Sequence, residues 1–194
     1  MLLKIEKFYK LLQDPLNCDV KLKFKWKNKK ISSIIKKKKS VKFVNKIPIL
    51  IDFSHSVLNK NIFKTLSTNN SLIGKKKFFL RKLKSYIFGT YFNSKKSFDL
   101  LESSLRKNST ILILGGGNIG TGLDKIYDNK QINIIATDIY PSNSIQFISD
   151  CHNIPLKNKS VDGVIIQAVL EHVLDPNQVV SEIYRVLKND GLVL

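Results

Sequence analysis

The sequence predicts an α/β fold in which helices cover both faces of a mostly parallel sheet, preceded by a small basic module. Two features in the second half of the chain support this. Thr110–Leu114 is an apolar, β-branched run without alternation, which is typical of a strand buried on both faces. The glycine-rich turn Gly115–Gly120 follows it directly, and apolar residues at helical spacing come next. Strand, glycine turn and helix in this order begin a doubly wound, Rossmann-like sheet.

Charge is distributed unevenly along the 194 residues, which are 43% hydrophobic and carry a net charge of +18. Residues 1–98 contain 25 basic and 4 acidic residues, whereas residues 99–194 contain 8 and 11. Such a step predicts a boundary between two segments, which we place in the polar stretch Asn93–Ser97. The predicted organisation is a β-rich module over 1–55, a basic helical linker over 56–98 and a nucleoside-binding domain over 99–194.

Cysteine content and hydropathy exclude several classes of protein. Cys18 and Cys151 are far apart and form no C-x-x-C pair, which argues against a disulfide framework and a zinc site. We therefore expect no metal ligands and a reducing, cytoplasmic setting. The apolar stretches are broken by charges well before the length of a membrane span, so we expect neither a transmembrane segment nor a signal peptide.

The first half of the chain contains two candidate strands. Lys21–Lys27 alternates with period two, which predicts a strand with Leu22, Phe24 and Trp26 on its buried face. The segment Val41–Asp52 is the second candidate, and the lysines Lys36–Lys39 are expected to form a solvated loop between them.

A basic amphipathic helix is predicted near residues 79–87, where aromatic and aliphatic residues recur at helical spacing among lysines. Basic strands and helices with interleaved aromatics can bind nucleic acid or an anionic membrane surface. They can equally be the solvated faces of half-buried elements. The sequence favours the solvated interpretation and leaves nucleic-acid binding and, to a lesser degree, membrane contact open.

The glycine turn and the strand after it predict a nucleoside site. Glycine at 115 and 117 would let a cofactor approach the backbone N–H groups, because no side chain blocks them. Asp138 ends the next strand, where a carboxylate can accept hydrogen bonds from both hydroxyls of a ribose. These residues alone do not distinguish a nicotinamide dinucleotide from S-adenosylmethionine.

The rest of the chain predicts three more strands and a helix. Ile145–Asp150 is a brief strand that ends in an acid, and Ser160–Gln167 contains the next. Asp175 is a predicted N-cap, with Pro176 at the first position of a helix that reaches Lys188. The predicted buried stripe of this helix is Val179, Ile183, Val186 and Leu187, with Gly191 ending the helix before a strand at Leu192–Leu194.

Only six residues separate Asp138 from Ile145, too few for the usual crossover helix. We therefore expect either a short or irregular third strand, or a loop around Pro141 in place of the helix.

The succession from Ile111 to Leu194 resembles a class I S-adenosylmethionine-dependent methyltransferase of the type 11 group. The most diagnostic part is Gln167–Pro176, together with Glu182–Lys188 and Gly191–Leu194. The resemblance implies S-adenosylmethionine as cofactor, an unidentified methyl acceptor and the strand order 3-2-1-4-5-7-6.

The resemblance also implies roles for individual residues. Asp138 would hold the ribose hydroxyls and Asp150 the adenine amino group, with Cys151 and His152 beside the ring. Gln167 would border the cofactor opposite the glycine turn. The glycines that would line the methionine portion are Gly115, Gly117 and Gly120. No catalytic base is nominated.

Two departures from the family pattern affect the expected activity. Asn45–Asp52 resembles the closing phrase of a small zinc-ribbon-like module, but the metal cysteines are missing. The chain also ends within the fifth strand, so we expect an incomplete, five-stranded fragment that is marginally stable and weakly active or inactive alone. The alternatives are an inactive nucleoside-binding fragment, a nicotinamide-dependent oxidoreductase and a basic nucleic-acid-binding protein.

Overall fold

A computed structural model of the chain describes residues 2–14, 21–36, 39–54, 56, 90–120 and 122–194. The predicted basic helix at 79–87 and Cys18 lie outside these residues. Within them, the helices are α1 (Ile5–Phe8), α2 (Thr90–Ser104), α3 (Asp124–Asp128) and α4 (Pro176–Val186). The strands are β1 (Lys23–Lys27), β2 (Lys30–Lys36), β3 (Lys39–Ser40), β4 (Phe43–Val44), β5 (Ile47–Pro48), β6 (Thr110–Leu114), β7 (Asn133–Asp138), β8 (Phe147–Ile148), β9 (Val161–Ile166) and β10 (Leu187–Val193).

The central sheet is parallel throughout and confirms the predicted fold class. Its five strands lie in the order β10-β9-β6-β7-β8. Counted along the chain this is 5-4-1-2-3, the order that the resemblance implies for the first five strands. Residues of β6 and β7 such as Ile111, Leu112 and Ile134 are fully buried, as expected for strands covered on both faces.

The helices around this sheet are shorter than their sequence patterns predict. The helix after the glycine turn, α3, has five residues, although the predicted apolar positions Leu123 and Ile126 are buried. Residues 139–144 contain no helix, which confirms the expected loop around Pro141. The capping prediction for α4 is also confirmed, because the Asp175 side chain accepts a hydrogen bond from Gln178 N.

The end of α4 differs from the prediction. The helix ends at Val186 rather than Lys188, and Gly191 does not terminate it. Leu187 instead pairs with Val161 at the start of β10, so it belongs to the sheet and not to the predicted buried stripe of the helix.

The strands of the first half correct two predictions. The alternating run forms β1, and the rings of Phe24 and Trp26 both contact Tyr9, but Trp26 stays 45% exposed instead of buried. Residues 30–36, which include the first predicted loop lysine, form β2 and pair with β1. Ile34 in β2 is fully buried, and its strand continues to Lys36, where the run of lysines predicted a solvated loop.

Segments of the first half pack directly on the central sheet. Leu3 N donates to Ile134 O at 2.9 Å, and Leu50 N donates to Ile148 O at 2.8 Å. Helix α2 extends across the expected boundary at residue 98. Two of its residues near this point, Phe98 and Leu101, are buried in the core. The limits of the three predicted segments, and the likeness of the first to a zinc ribbon, stay predictions.

A partly buried ion triad joins β2 to two other parts of the first half. Lys36 Nζ lies 2.9 Å from Asp14 Oδ2 and 2.7 Å from Asp52 Oδ2, and the Asp14 side chain is 1% exposed. Burial opposes the charge of Lys36, but the hydrogen bonds to Asp52 and Asp14 outweigh burial and raise its pKa. Burial likewise opposes the charge of Asp52, and the hydrogen bonds from Lys36 and Ser54 hold its pKa well below the usual range.

We expect Lys36→Met to lower the free energy of unfolding by about 3 kcal/mol near neutral pH, because the variant buries carboxylate charge without its partner. The loss should shrink below about pH 4, since a carboxyl with a lowered folded pKa stabilises the fold only while it is ionised. It should also shrink above about pH 10.5, where the raised pKa of Lys36 no longer favours the folded state. Urea unfolding across this range tests the expectation, with the exposed Lys42→Met as control. A pH-independent loss would contradict it.

Candidate functional site

The glycine turn lies at the carboxyl end of β6 and is tied to β7. Gly116 N donates to Thr137 O at 2.9 Å, which holds the turn beside the end of the neighbouring strand. Gly115 has φ of +73°, a conformation that a residue with a Cβ rarely adopts, and a side chain there would also meet Val169. The local backbone therefore requires glycine at the first position of the predicted motif.

Asp138 lies directly against this turn. Its Oδ2 accepts a hydrogen bond from Gly117 N at 2.8 Å, and its Oδ1 accepts one from Tyr140 N at 3.0 Å. A Cβ placed on Gly117 would lie 2.6 Å from Asp138 Oδ2, so a side chain at 117 would displace the carboxylate. The structure thus brings together the two residues for which the sequence predicted contact with one ligand.

Gln167 lies just past β9, across the turn from Asp138. Its side chain is exposed, and its Oε1 occupies the space that a Cβ on Gly120 would need. The strands that carry Asp138 and Gln167, β7 and β9, are the two neighbours of β6 in the sheet. Ligands of such sheets bind in the crevice outside the carboxyl ends of the strands, where the strand order reverses.

Asp150 follows β8 and is held by an unusually complete set of donors. The carboxylate is buried, and its Oδ2 accepts a hydrogen bond from Ser56 Oγ at 2.5 Å. Its Oδ1 accepts from His152 N at 3.0 Å and lies 2.6 Å from His152 Nδ1. Burial opposes ionisation, but the hydrogen bonds from Ser56 and His152 outweigh it and lower the pKa of Asp150. Asp150 is therefore a charged acceptor at neutral pH.

Cys151 lies near both acids and is unsuited to nucleophilic chemistry. Burial, together with the negative charges of Asp150 and, less strongly, Asp138, raises the pKa of its thiol to about 12. Because the thiolate is the reactive form, this thiol is inert near neutral pH. Its place near the two carboxylates suits a packing role.

Asp150, Cys151 and His152 have the spacing of a metal-ligand set, since their ligand atoms lie within 4.8 Å of one another. Their chemistry does not fit a metal ion well. The thiol is protonated, and each His152 ring nitrogen already has a hydrogen-bond partner, Asp150 for Nδ1 and Asp175 N for Nε2. The expectation that the chain has no metal site stays a prediction.

A charge network that sequence analysis missed supports the segment after Asp150. Arg185 Nε and Nη2 donate to Glu182 Oε1 and Oε2 at 2.6 and 2.7 Å. Arg185 also donates to Ile154 O and Leu156 O, both at 2.7 Å, and Glu182 Oε2 accepts from Ile154 N at 2.7 Å. The sequence indicates only one part of this network, the opposite charges of Glu182 and Arg185, which are three residues apart on α4. The network fixes the segment that follows Asp150 against α4.

The sheet topology defines a Rossmann-like domain, and the predicted site residues lie at the carboxyl ends of its strands. Residues 115–194 match the family model described as "Methyltransferase domain". Over these residues the chain is similar to methyltransferase domains. No curated protein matches the chain.

Solved structures similar to the chain include three with modest scores. A proposed S-adenosylmethionine-dependent methyltransferase of Methanococcus maripaludis is 19% identical with a TM-score of 0.45, and the match covers 64% of this chain and 65% of that one. The proposed methyltransferase solved with the Haloferax volcanii Trm112 activator is 24% identical with a TM-score of 0.42, and the match covers 50% of this chain and 49% of that one. The YcgJ protein of Bacillus subtilis is 19% identical with a TM-score of 0.41, and the match covers 52% of this chain and 50% of that one. The chain thus spans about half to two thirds of the length of these structures.

Among the helices that the structure describes, none has the length and apolar character that a bilayer crossing requires.

Proposed function

We propose that the chain binds S-adenosylmethionine through Gly117, Asp138 and Asp150 and contributes to methyl transfer onto an acceptor that the sequence does not identify. The observation that carries the proposal is the contact between the Asp138 carboxylate and Gly117 N at the carboxyl end of the sheet. The match of residues 115–194 to a methyltransferase domain favours this ligand over a nicotinamide dinucleotide.

The residues present fit an adenosyl ligand in chemistry and in shape. Gly117 leaves open the space where a Cβ would collide with Asp138, so the turn can lie close to a bound sugar. Asp138 and Asp150 are separate acceptors, placed after neighbouring strands β7 and β8, that suit the ribose hydroxyls and the purine amino group. Gly120 and Gln167 would border the methionine portion across the turn.

S-adenosylmethionine would supply a methyl group on a positively charged sulfonium. The residues of this chain would bind and orient it, so that alignment and exclusion of water account for most of the rate enhancement. Cys151 takes no part in proton transfer near neutral pH because its thiol is protonated. A general base is needed only for an acceptor that must lose a proton, and we assign none.

Substitution of Gly117 tests the proposed site. Gly117→Ala should weaken binding of S-adenosylhomocysteine, the demethylated product, by tenfold or more, because the new Cβ would lie 2.6 Å from Asp138 Oδ2 and displace it. Gly163→Ala is a matched control in β9, where the nearest atom to a new Cβ is Leu192 O at an ordinary 3.5 Å. Calorimetric titration of both variants and the wild type measures the effect. Equal affinities for all three would refute the site, and no binding to the wild type would refute the function.

Nucleic-acid binding by the basic first half stays a prediction. The lysines of β1, Lys23, Lys25 and Lys27, are exposed. Affinity for an oligonucleotide that falls steeply with salt would support it.

A further inference from the structure

His152 makes hydrogen bonds in two directions, toward Asp150 and toward the start of α4. On one side, its backbone N and its ring Nδ1 both contact Asp150 Oδ1, at 3.0 and 2.6 Å. On the other side, Asp175 N donates to His152 Nε2 at 3.2 Å, and Gln178 Nε2 donates to His152 O at 3.1 Å. The side chain is 17% exposed, so the ring is mostly enclosed by these partners.

The hydrogen bonds determine which ring nitrogen carries the proton. A backbone N–H can only donate, so His152 Nε2 must accept the bond from Asp175. In the neutral ring the proton then lies on Nδ1, which donates it to Asp150 Oδ1. The ring therefore has a fixed orientation with its donor aimed at the carboxylate.

This donor restricts the Asp150 carboxylate to one orientation. Two donors from residue 152 converge on Oδ1, which leaves Oδ2 as the oxygen that can accept from a further group besides the Ser56 hydroxyl. A carboxylate oxygen has capacity for more than one donor. Without the ring N–H, the backbone N of residue 152 and the Ser56 hydroxyl would be left to hold the carboxylate, so its orientation would be less restricted.

We propose that His152 is a positioning residue that holds Asp150 in the orientation required to accept a hydrogen bond from the amino group of an adenosyl ligand. The inference rests on the proposed function. It assigns specificity for a 6-amino purine to the His152–Asp150 pair, because a 6-oxo purine presents an acceptor to the carboxylate in place of the amino donor. His152 would not contact the reacting atoms.

A different role for His152 would be to hold the start of α4 through its contacts with Asp175 and Gln178. Two variants separate the roles. The side-chain amide of His152→Asn reaches about as far as Nδ1, so it can still donate to Asp150 but not accept from Asp175. The longer side chain of His152→Gln reaches about as far as Nε2, so it can still accept from Asp175 but no longer donates at the Nδ1 position.

Calorimetric titration of the wild type and both variants with S-adenosylhomocysteine and S-inosylhomocysteine tests the inference. We expect His152→Gln to bind S-adenosylhomocysteine about tenfold more weakly, with little change for the inosine analogue, and His152→Asn to stay within about threefold of the wild type. Thermal unfolding of each variant reports its stability separately. The inference is wrong if the Asn variant loses as much affinity as the Gln variant, or if both ligands weaken equally. Failure of the wild type to bind S-adenosylhomocysteine would instead refute the proposed function.

Discussion

Asp138→Ala is expected to lower the affinity for S-adenosylhomocysteine by about 100-fold, to a level where binding is lost at ordinary protein concentrations. In the proposed complex a single carboxylate accepts hydrogen bonds from both ribose hydroxyls, and charged acceptors make the stronger hydrogen bonds. The substitution also removes the acceptor for Gly117 N, which lies 2.8 Å from Asp138 Oδ2 and holds the turn. Calorimetric titration measures the loss directly.

Two further variants separate the effects of charge, turn geometry and stability. Asp138→Asn keeps an oxygen that can accept from Gly117 N but removes the charge, so we expect an intermediate loss of affinity. Asp162→Ala removes a carboxylate of β9 that also accepts from a backbone N–H, that of Thr110 at 2.8 Å, at the other end of the sheet. Its affinity should equal that of the wild type, even if its stability falls. Unchanged affinity of Asp138→Ala would show that this carboxylate does not hold the ligand.

Arg185→Ala is expected to lower the free energy of unfolding by about 3 kcal/mol, as much as we expect for Lys36→Met. The reason is that Glu182, a largely buried residue of α4, would lose both hydrogen bonds from the guanidinium and keep its charge. The carbonyls of Ile154 and Leu156 would lose their donor as well. Urea unfolding monitored by far-ultraviolet circular dichroism measures the change.

A double variant without charge at Glu182 and Arg185 is to be compared with Arg185→Ala. Replacing Glu182 and Arg185 together with methionine should recover part of the loss, because no buried charge is then left without a partner. Lys125→Ala is the control, since Lys125 pairs with Asp99 on the surface with side chains 56% and 43% exposed, and such pairs contribute less than about 1 kcal/mol. A double variant less stable than Arg185→Ala, or an Arg185→Ala variant as stable as the wild type, would contradict this explanation.

Local sequence patterns were sufficient to predict the central sheet and its glycine turn. The run Thr110–Leu114 is apolar at every position after the first, so its burial on both faces follows from composition. The position of Asp138 was predictable because an acidic residue that directly follows an apolar run and precedes a turn indicates the carboxyl end of a strand. Asp175 was predictable because the N-cap residue and Pro176 are adjacent in sequence.

Contacts between distant residues could not be predicted in the same way. Ser56 donates to Asp150 across 94 residues, and nothing in the surrounding sequence indicates this contact. Lys36 was expected in solvent because it begins a run of four lysines, yet buried Asp14 holds it at the end of β2. Trp26 was expected to be buried because it alternates with the lysines, but alternation predicts only the face of a strand and not how far distant residues such as Tyr9 cover it. Long-range pairing, rather than local propensity, determines each of these outcomes.

Calorimetric titration of the wild-type chain with S-adenosylhomocysteine and with NAD is the most direct test of an adenosyl site between the glycine turn and Asp138. We predict one binding event per chain for S-adenosylhomocysteine and no detectable heat of binding for NAD. Equal or tighter binding of NAD would contradict the assignment.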